Sequence, residues 1–210
     1  MSGQFATLAF TPAVQAEQSR RGSRAAYARH TPATLESVQL SAAECDFIAR
    51  CDSFYQATVS ETGWPYVQHR GGPQGFLKVL EADLLAYADF GGNRQYVSVG
   101  NLRTNDKISL FIMDYAHRRR LKILGRVSMT DASEADPALL AALSDPDYRA
   151  AIERIVHIRV QAVDWNCPQH ITPRWSEAQV KETFQVLSQE NARLRADNAR
   201  LQEALRHVRA

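Results

Sequence analysis

Apolar and polar residues alternate with a period of two through KISLFIMDY (107–115) and RRLKILGRVSM (119–129), the pattern of half-buried strands. The same period runs through SFYQATVS and WPYVQHR, and the turn Glu61-Thr62-Gly63 between them predicts a hairpin. Phe76–Leu80 and Leu84–Tyr87 read as two further strands. Lys107–Tyr115 and Arg119–Thr130 read as a second hairpin, and Ile155–Trp165 as the last strand. The chain is therefore expected to be mainly β, a barrel with flanking helices.

Helical signals punctuate this pattern. Ser41-Ala-Ala-Glu44 is a capping-box sequence followed by Cys45, Ile48 and Cys51 at helical spacing, which predicts a helix over about 41–51. The turn Gly91-Gly92-Asn93 opens a short helical segment through Leu102. Ala132–Leu143 reads as a helix stopped by Asp145-Pro146. Residues 1–35 are polar and Arg-rich, with Pro at 12 and 32, and read as an arm with one short helix; residues 36–172 form the barrel domain.

The period changes again after Trp175. Ser176 and Gln179 repeat the capping-box pattern, and Val180, Leu187, Leu194 and Leu201 then recur every seven residues, as do Phe184, Asn191, Asn198 and Leu205. This is a leucine-zipper pattern over 176–208. Leucine at d with asparagine at two consecutive a positions suits a parallel two-stranded pairing; the same stripe also suits a helix packed on its own barrel.

Charge changes the picture little: at +2 over 210 residues, the chain lacks the basic excess of a general nucleic-acid binder. Cys45, Cys51 and Cys167 form no CxxC pair, and no apolar run is long enough for a leader or a membrane span. A cytoplasmic protein with no membrane partner is the expectation. No GxGxxG turn joins a strand to a helix, which argues against a Rossmann nicotinamide site.

The candidate chemistry gathers in two places. Asn93, Arg94, Gln95, Tyr96, Ser98 and Asn101 place three side-chain amides beside a guanidinium and hydroxyls in one short run, able to hold a phosphate and the rim of an aromatic ring. The same run also suits an internally bonded surface loop. His69, Arg70 and Gly71 end one strand and Lys78 lies within the next, so two cations could meet an anion beside backbone that a flat ligand can approach. A solvated edge strand is the plainer alternative. In Arg118-Arg119-Arg120 alternate side chains face opposite ways, so one subset at most addresses a ligand. Cys167 and His170 lack a second ligand pair for a metal and an orienting group for a nucleophile; no metal is expected, and no catalytic residue is assigned.

The run HRGG, GFLKV, LAYADFGGNRQYVSVGNL, NDKISLFIMDY and RRRLKILGRV resembles the pyridoxamine 5′-phosphate oxidase-like FMN-binding split-barrel superfamily. Within that superfamily it looks like the bacterial oxidase-related flavin-nucleotide-binding branch. TPAVQAEQSRRGSRAAYAR and DWNCPQHITPRW extend the resemblance over about residues 11–180.

The resemblance implies a six-stranded Greek-key split barrel that binds FMN in clefts between the subunits of a homodimer. It implies flavin contacts at Arg70 and Lys78, with Tyr87-Ala88 where the oxidase has an aromatic-hydroxyl pair. The loop GNRQYVSVGN replaces its Ser-Arg-Lys loop, and Arg120 replaces a strand Gln. Arg21, Ser23, Arg24 and Tyr27 match a GSRxxY feature that would fold over the flavin phosphate. Only His170 and Arg174 stand where the oxidase has its basic set for the substrate phosphate, so the oxidase's substrate is not carried over. A flavin-dependent oxidoreductase acting on an unidentified small molecule is expected, with a non-catalytic flavin-binding or coiled-coil interaction protein as the alternative.

Overall fold

The computed structural model describes residues 3–28, 38–165 and 168–208, excepting the side chains of Glu182 and Val208. They fall into two compact units, one spanning 1–114 and 118–170, the other 115–117 and 171–210. Among the described residues no helix is long and apolar enough to cross a membrane.

In the first unit seven strands form one antiparallel sheet: β1 Ser53–Val59, β2 Pro65–Gly71, β3 Lys78–Glu81, β4 Leu84–Phe90, β5 Lys107–Asp114, β6 Arg119–Asp131 and β7 Ile152–Trp165. Their order is β2-β1-β5-β6-β7-β4-β3, so β2 and β3 are free edges and the barrel is split. The resemblance implies six strands, and short β3 makes the seventh. The two longest strands are bent where the register shifts between Leu124 and Gly125. A Cβ on Gly125 would lie 2.6 Å from Ile158 Cγ2, so the bulge needs glycine.

Period two sorts the side chains into two faces. Phe54, Leu85, Tyr87, Leu110, Ile112, Leu121, Ile123, Ile158 and Val160 fill the inside and are almost fully buried, with Phe47 and Ile48 of α4 (Ala42–Ala49) packed against them. Strand β4 is buried on both faces. Its Ala86 and Ala88 join Ile155 and Leu143 in a second cluster covered by α6 (Pro137–Leu143).

Several boundaries differ from those expected. Strand β3 starts at Lys78, because Phe76 and Leu77 turn into the core after Gly75 at φ +74°. The Ala132–Leu143 helix begins at Pro137, with Asp136 as its cap accepting from Ala138 N at 2.9 Å. The short helix after Gly91 spans Val97–Thr104 (α5), and the last strand starts earlier, at Ile152. The capping box is formed: Ser41 N donates to Glu44 Oε2 at 2.8 Å, and Glu44 N to Ser41 Oγ at 3.5 Å.

The arm departs furthest from expectation. Its described part holds three helices, α1 Gly3–Ala9, α2 Pro12–Arg20 and α3 Arg24–Tyr27, and residues 29–37 lie outside the described residues. Helix α1 packs on β7, burying Phe5 and Ala6, and Lys122 stands 5.0 Å from the Phe5 ring centre. In the second unit α7 (Glu177–Val208) is one continuous helix, started by reciprocal bonds between Ser176 and Gln179.

Candidate functional site

Strand β2 points Gln68 and Arg70 inward and His69 outward, because Arg70 faces Phe54 and His69 faces Tyr55 across the β1–β2 ladder. On β4, Asp89 shares the inner face with Leu85 and Tyr87. On β7, Arg154 lies directly opposite Asp89. The strands thus bring two guanidiniums to one carboxylate: Arg70 Nη1 donates to Asp89 Oδ1 and Arg154 Nη1 to Oδ2, both at 2.5 Å. Asp89 is only 3% exposed.

The loop before α5 closes onto this cluster. Arg154 Nη2 donates to Glu153 Oε2 at 2.7 Å, Tyr96 Oη donates to Glu153 Oε1 at 3.1 Å, and the Arg154 guanidinium lies 5.2 Å from the Tyr96 ring centre. Burial alone disfavours a charged Arg154. Asp89 and Glu153 outweigh it and hold the guanidinium's pKa above the ordinary value. Ser98 Oγ donates to Gln68 Oε1 at 2.8 Å, tying α5 to β2. Tyr87 Oη donates to Gln56 Oε1 at 2.9 Å, and burial pushes the Tyr87 phenol well above its usual range.

Around the network lies a cavity of about 310 Å³. Phe76, Tyr87, Phe90, Tyr96 and Tyr148 supply aromatic walls. Arg70, Asp89, Arg94, Glu153 and Arg154 supply charge. Asp89 and Glu153 balance Arg70 and Arg154, leaving Arg94 as the excess formal positive charge. Two features are unfinished. Among the described residues the buried Nε of Arg70 and that of Arg154 have no hydrogen-bond acceptor. Arg94 and Tyr96 hold left-handed backbone at φ 60° and 53°, which costs such side chains on the order of 1–3 kcal/mol each.

Of the residues singled out by sequence, His69, Arg70, Gly71, Tyr87, Asn93, Arg94, Tyr96 and Ser98 line this cavity. Lys78, Gln95, Asn101 and Arg120 lie outside its lining. Lys78 is exposed on the edge strand, and Gln95 N donates to Asn93 Oδ1 at 3.2 Å within the loop. Asn101 is buried, donating to Thr58 Oγ1 at 3.0 Å, and the Arg120 guanidinium stands 4.9 Å from the Phe111 ring centre. Gly72 admits the Phe76 ring, which a Cβ there would meet at 2.8 Å. Sequence reasoning missed Asp89, Glu153, Arg154, Gln68 and Tyr148. A lone carboxylate within LLAYADF was the available signal for the first.

Of the arm's GSRxxY residues, Arg24 bonds to Gln15 and Gln18, Tyr27 packs edge-on to Phe10, and Arg21 pairs with Glu17; none lines the cavity. Cys167 lies outside the described residues. Among those described, no cluster of three or more His, Cys, Asp or Glu could hold a metal ion.

Compared by sequence with curated proteins, the chain matches none. Similar solved structures include HupZ of Group A Streptococcus, at 13% identity and TM-score 0.48, with 65% of this chain and 99% of that chain covered. An FMN-binding protein from Syntrophomonas wolfei subsp. wolfei has 14% identity and TM-score 0.46, with 72% and 96% covered. HutZ, the heme storage protein from Vibrio cholerae, has 15% identity and TM-score 0.40, with 60% and 94% covered. Residues 40–165, which carry every described strand and the whole cavity lining, match the family described as pyridoxamine 5′-phosphate oxidase, and the chain belongs to that family.

Proposed function

We propose that the cavity binds FMN, its phosphate held by the arginine cluster, and that the protein is a flavin-dependent oxidoreductase acting on a small molecule as a homodimer. The observation that carries this reading is the unfinished cluster itself. Two buried guanidiniums share one carboxylate and keep Nε–H groups without acceptors, which an oxyanion satisfies with charge-assisted bonds. Arg94 adds the excess charge. Helix α5 starts at Tyr96 with no side-chain cap, so its first-turn N–H groups are available to the same anion. The aromatic walls suit a flat ring system.

When bound, FMN supplies the hydride or electron transfer. The chain's own residues bind, orient and exclude water. Arg70, Arg154 and Ser98 fix the phosphate end, while Tyr87 and Tyr96 border the ring.

Size and exposure support the homodimer. A cavity of about 310 Å³ stands at the small end of ligand sites, which run from ~300 to 1,000 Å³. Beside it the outer face of β1 and β2 exposes Tyr55, Val59 and Val67, and His69, in ring contact with Tyr55 at 5.4 Å, belongs to both this face and the cavity. A second copy seated there encloses the ligand. Arg120 shares that outer face through Phe111, the β5 partner of Tyr55, and the reading assigns it to the flavin of the second copy.

Titrating the purified protein with FMN, FAD and heme tests the assignment. Saturable FMN binding tighter than FAD is expected, since the terminal phosphate can be enclosed by these arginines. Failure to bind FMN, or a preference for heme, overturns it. Reduction of the bound flavin by NAD(P)H then separates an oxidoreductase from a non-catalytic flavin binder.

A further inference from the structure

Helix α7 carries an apolar stripe that the flavin reading leaves unused. Phe184, Leu187, Leu194, Leu201 and Leu205 are between 50% and 66% exposed. Phe184, Asn191, Asn198 and Leu205 occupy heptad position a, and Leu187, Leu194 and Leu201 position d. Glu190 falls at g, and Arg195 at the following e.

We propose that this stripe pairs with the same stripe of a second copy of the chain, parallel and in register. Each asparagine amide carries both donors and an acceptor, so in that arrangement Asn191 meets Asn191 and Asn198 meets Asn198, and each pair satisfies itself. An antiparallel pairing sets the a positions against d leucines and leaves the amides buried without partners. A slip of one heptad keeps one amide pair and buries the other two amides against Phe184 and Leu205. Leucine at three consecutive d positions after Val180, with amides at two a positions, is also the two-stranded choice.

Charge points the same way. Parallel pairing places each g residue beside the e residue five positions on in the other helix, so Glu190 faces Arg195 of the second copy, twice per dimer. Among the described residues Arg195 has no ion-pair or hydrogen-bond partner within its own chain. Glu190 reaches Arg193 only at 3.4 Å. The occupant is therefore another copy of this chain, because the amides and the opposite charges are matched by this same sequence. With 32 residues the helix spans roughly 48 Å, long enough for more than four heptads.

Single cysteines in the full-length protein test it. Leu187→Cys and Asn198→Cys lie on the proposed seam about 16 Å apart along the helix; Ala199→Cys, at position b, faces outward. Under mild oxidation both seam variants are expected to form a covalent dimer at least tenfold faster than Ala199→Cys, with the unmodified chain as the blank for the natural cysteines. Crosslinking at only one seam position means an antiparallel pairing. Crosslinking at neither above the Ala199→Cys rate means a slipped pairing or none. Either result overturns the proposal. FMN titration of the same samples reads the flavin assignment separately, since the tail can fail while the cavity still binds.

Discussion

Glu44 and Asp89 are both carboxylates buried against the core of the same barrel, yet their surroundings differ in kind. Glu44 accepts from Ser41 N, Ser41 Oγ and the Trp165 indole, whose ring is packed edge-on by Phe47 and covered by Arg119 at 4.6 Å. Asp89 is held by two arginines that each keep a buried N–H without an acceptor, beside a loop with two left-handed non-glycine residues. The carboxylate of Glu44 sits among finished hydrogen bonds, whereas that of Asp89 sits among donors held in reserve beside strained backbone.

The comparison is tested most severely at Asp89. Asp89→Asn leaves buried Arg70 without its countercharge and Arg154 with Glu153 alone, and should lower folding stability by about 3–5 kcal/mol, measured by urea unfolding without ligand. Added FMN should recover part of that loss by supplying a replacement anion. A loss that FMN does not touch would place Asp89 with Glu44, as a purely structural carboxylate.

Arg70→Ala comes next. Removing a charge-assisted donor to phosphate should weaken FMN binding by about 1.5–3 kcal/mol, roughly tenfold to 150-fold. Fluorescence titration reads this directly. Asp89 keeps Arg154, so the fold should survive. An unchanged affinity would show that Arg70 serves Asp89 alone.

Glu44 supplies the contrasting pH signature. Burial by itself would raise its pKa, but hydrogen bonds from Ser41 and Trp165 outweigh it and hold the carboxyl below the usual value. The sign follows: a depressed folded pKa gives stability that is present above the unfolded value of about 4.3 and lost as pH falls through the folded one. Glu44→Gln should therefore cost about 1–2 kcal/mol at pH 7, the worth of a good helix cap, with the gap closing as the pH drops below about 4. FMN affinity should not change.

Legibility from sequence tracks how local each cause is. The Ser41–Glu44 capping box and the two hairpins were readable because their partners lie within a few residues or across a short turn. The eight cavity-lining residues found in advance likewise come from two short runs, His69–Gly71 and Asn93–Ser98, together with Tyr87. Arg154 was not readable, since its partner Asp89 is 65 residues away and only the β4–β7 register brings them face to face. The arm's first helix was missed for the same reason: Phe5 is buried only because β7 passes beneath α1. Asn101 looked like a ligand donor, and a tertiary contact gives its amide to Thr58 instead.

Ser98→Ala should have the smallest effect and draws the finest line through the comparison. Its hydroxyl is buried and already donates to Gln68, so in the ligand-free protein it resembles the finished bonding of Glu44. It also lines the cavity in the first turn of an uncapped helix, where a hydroxyl can turn from Gln68 to a phosphate oxygen at little cost. A neutral hydrogen bond is worth about 0.5–1.5 kcal/mol, so FMN should bind Ser98→Ala roughly twofold to twelvefold more weakly. Calorimetric titration beside a thermal melt separates the two roles: weaker binding with a nearly unchanged melt puts Ser98 among the donors held for the ligand. A lowered melting temperature with unchanged binding would make it a strut between α5 and β2, and the ligand site would then end at the arginines.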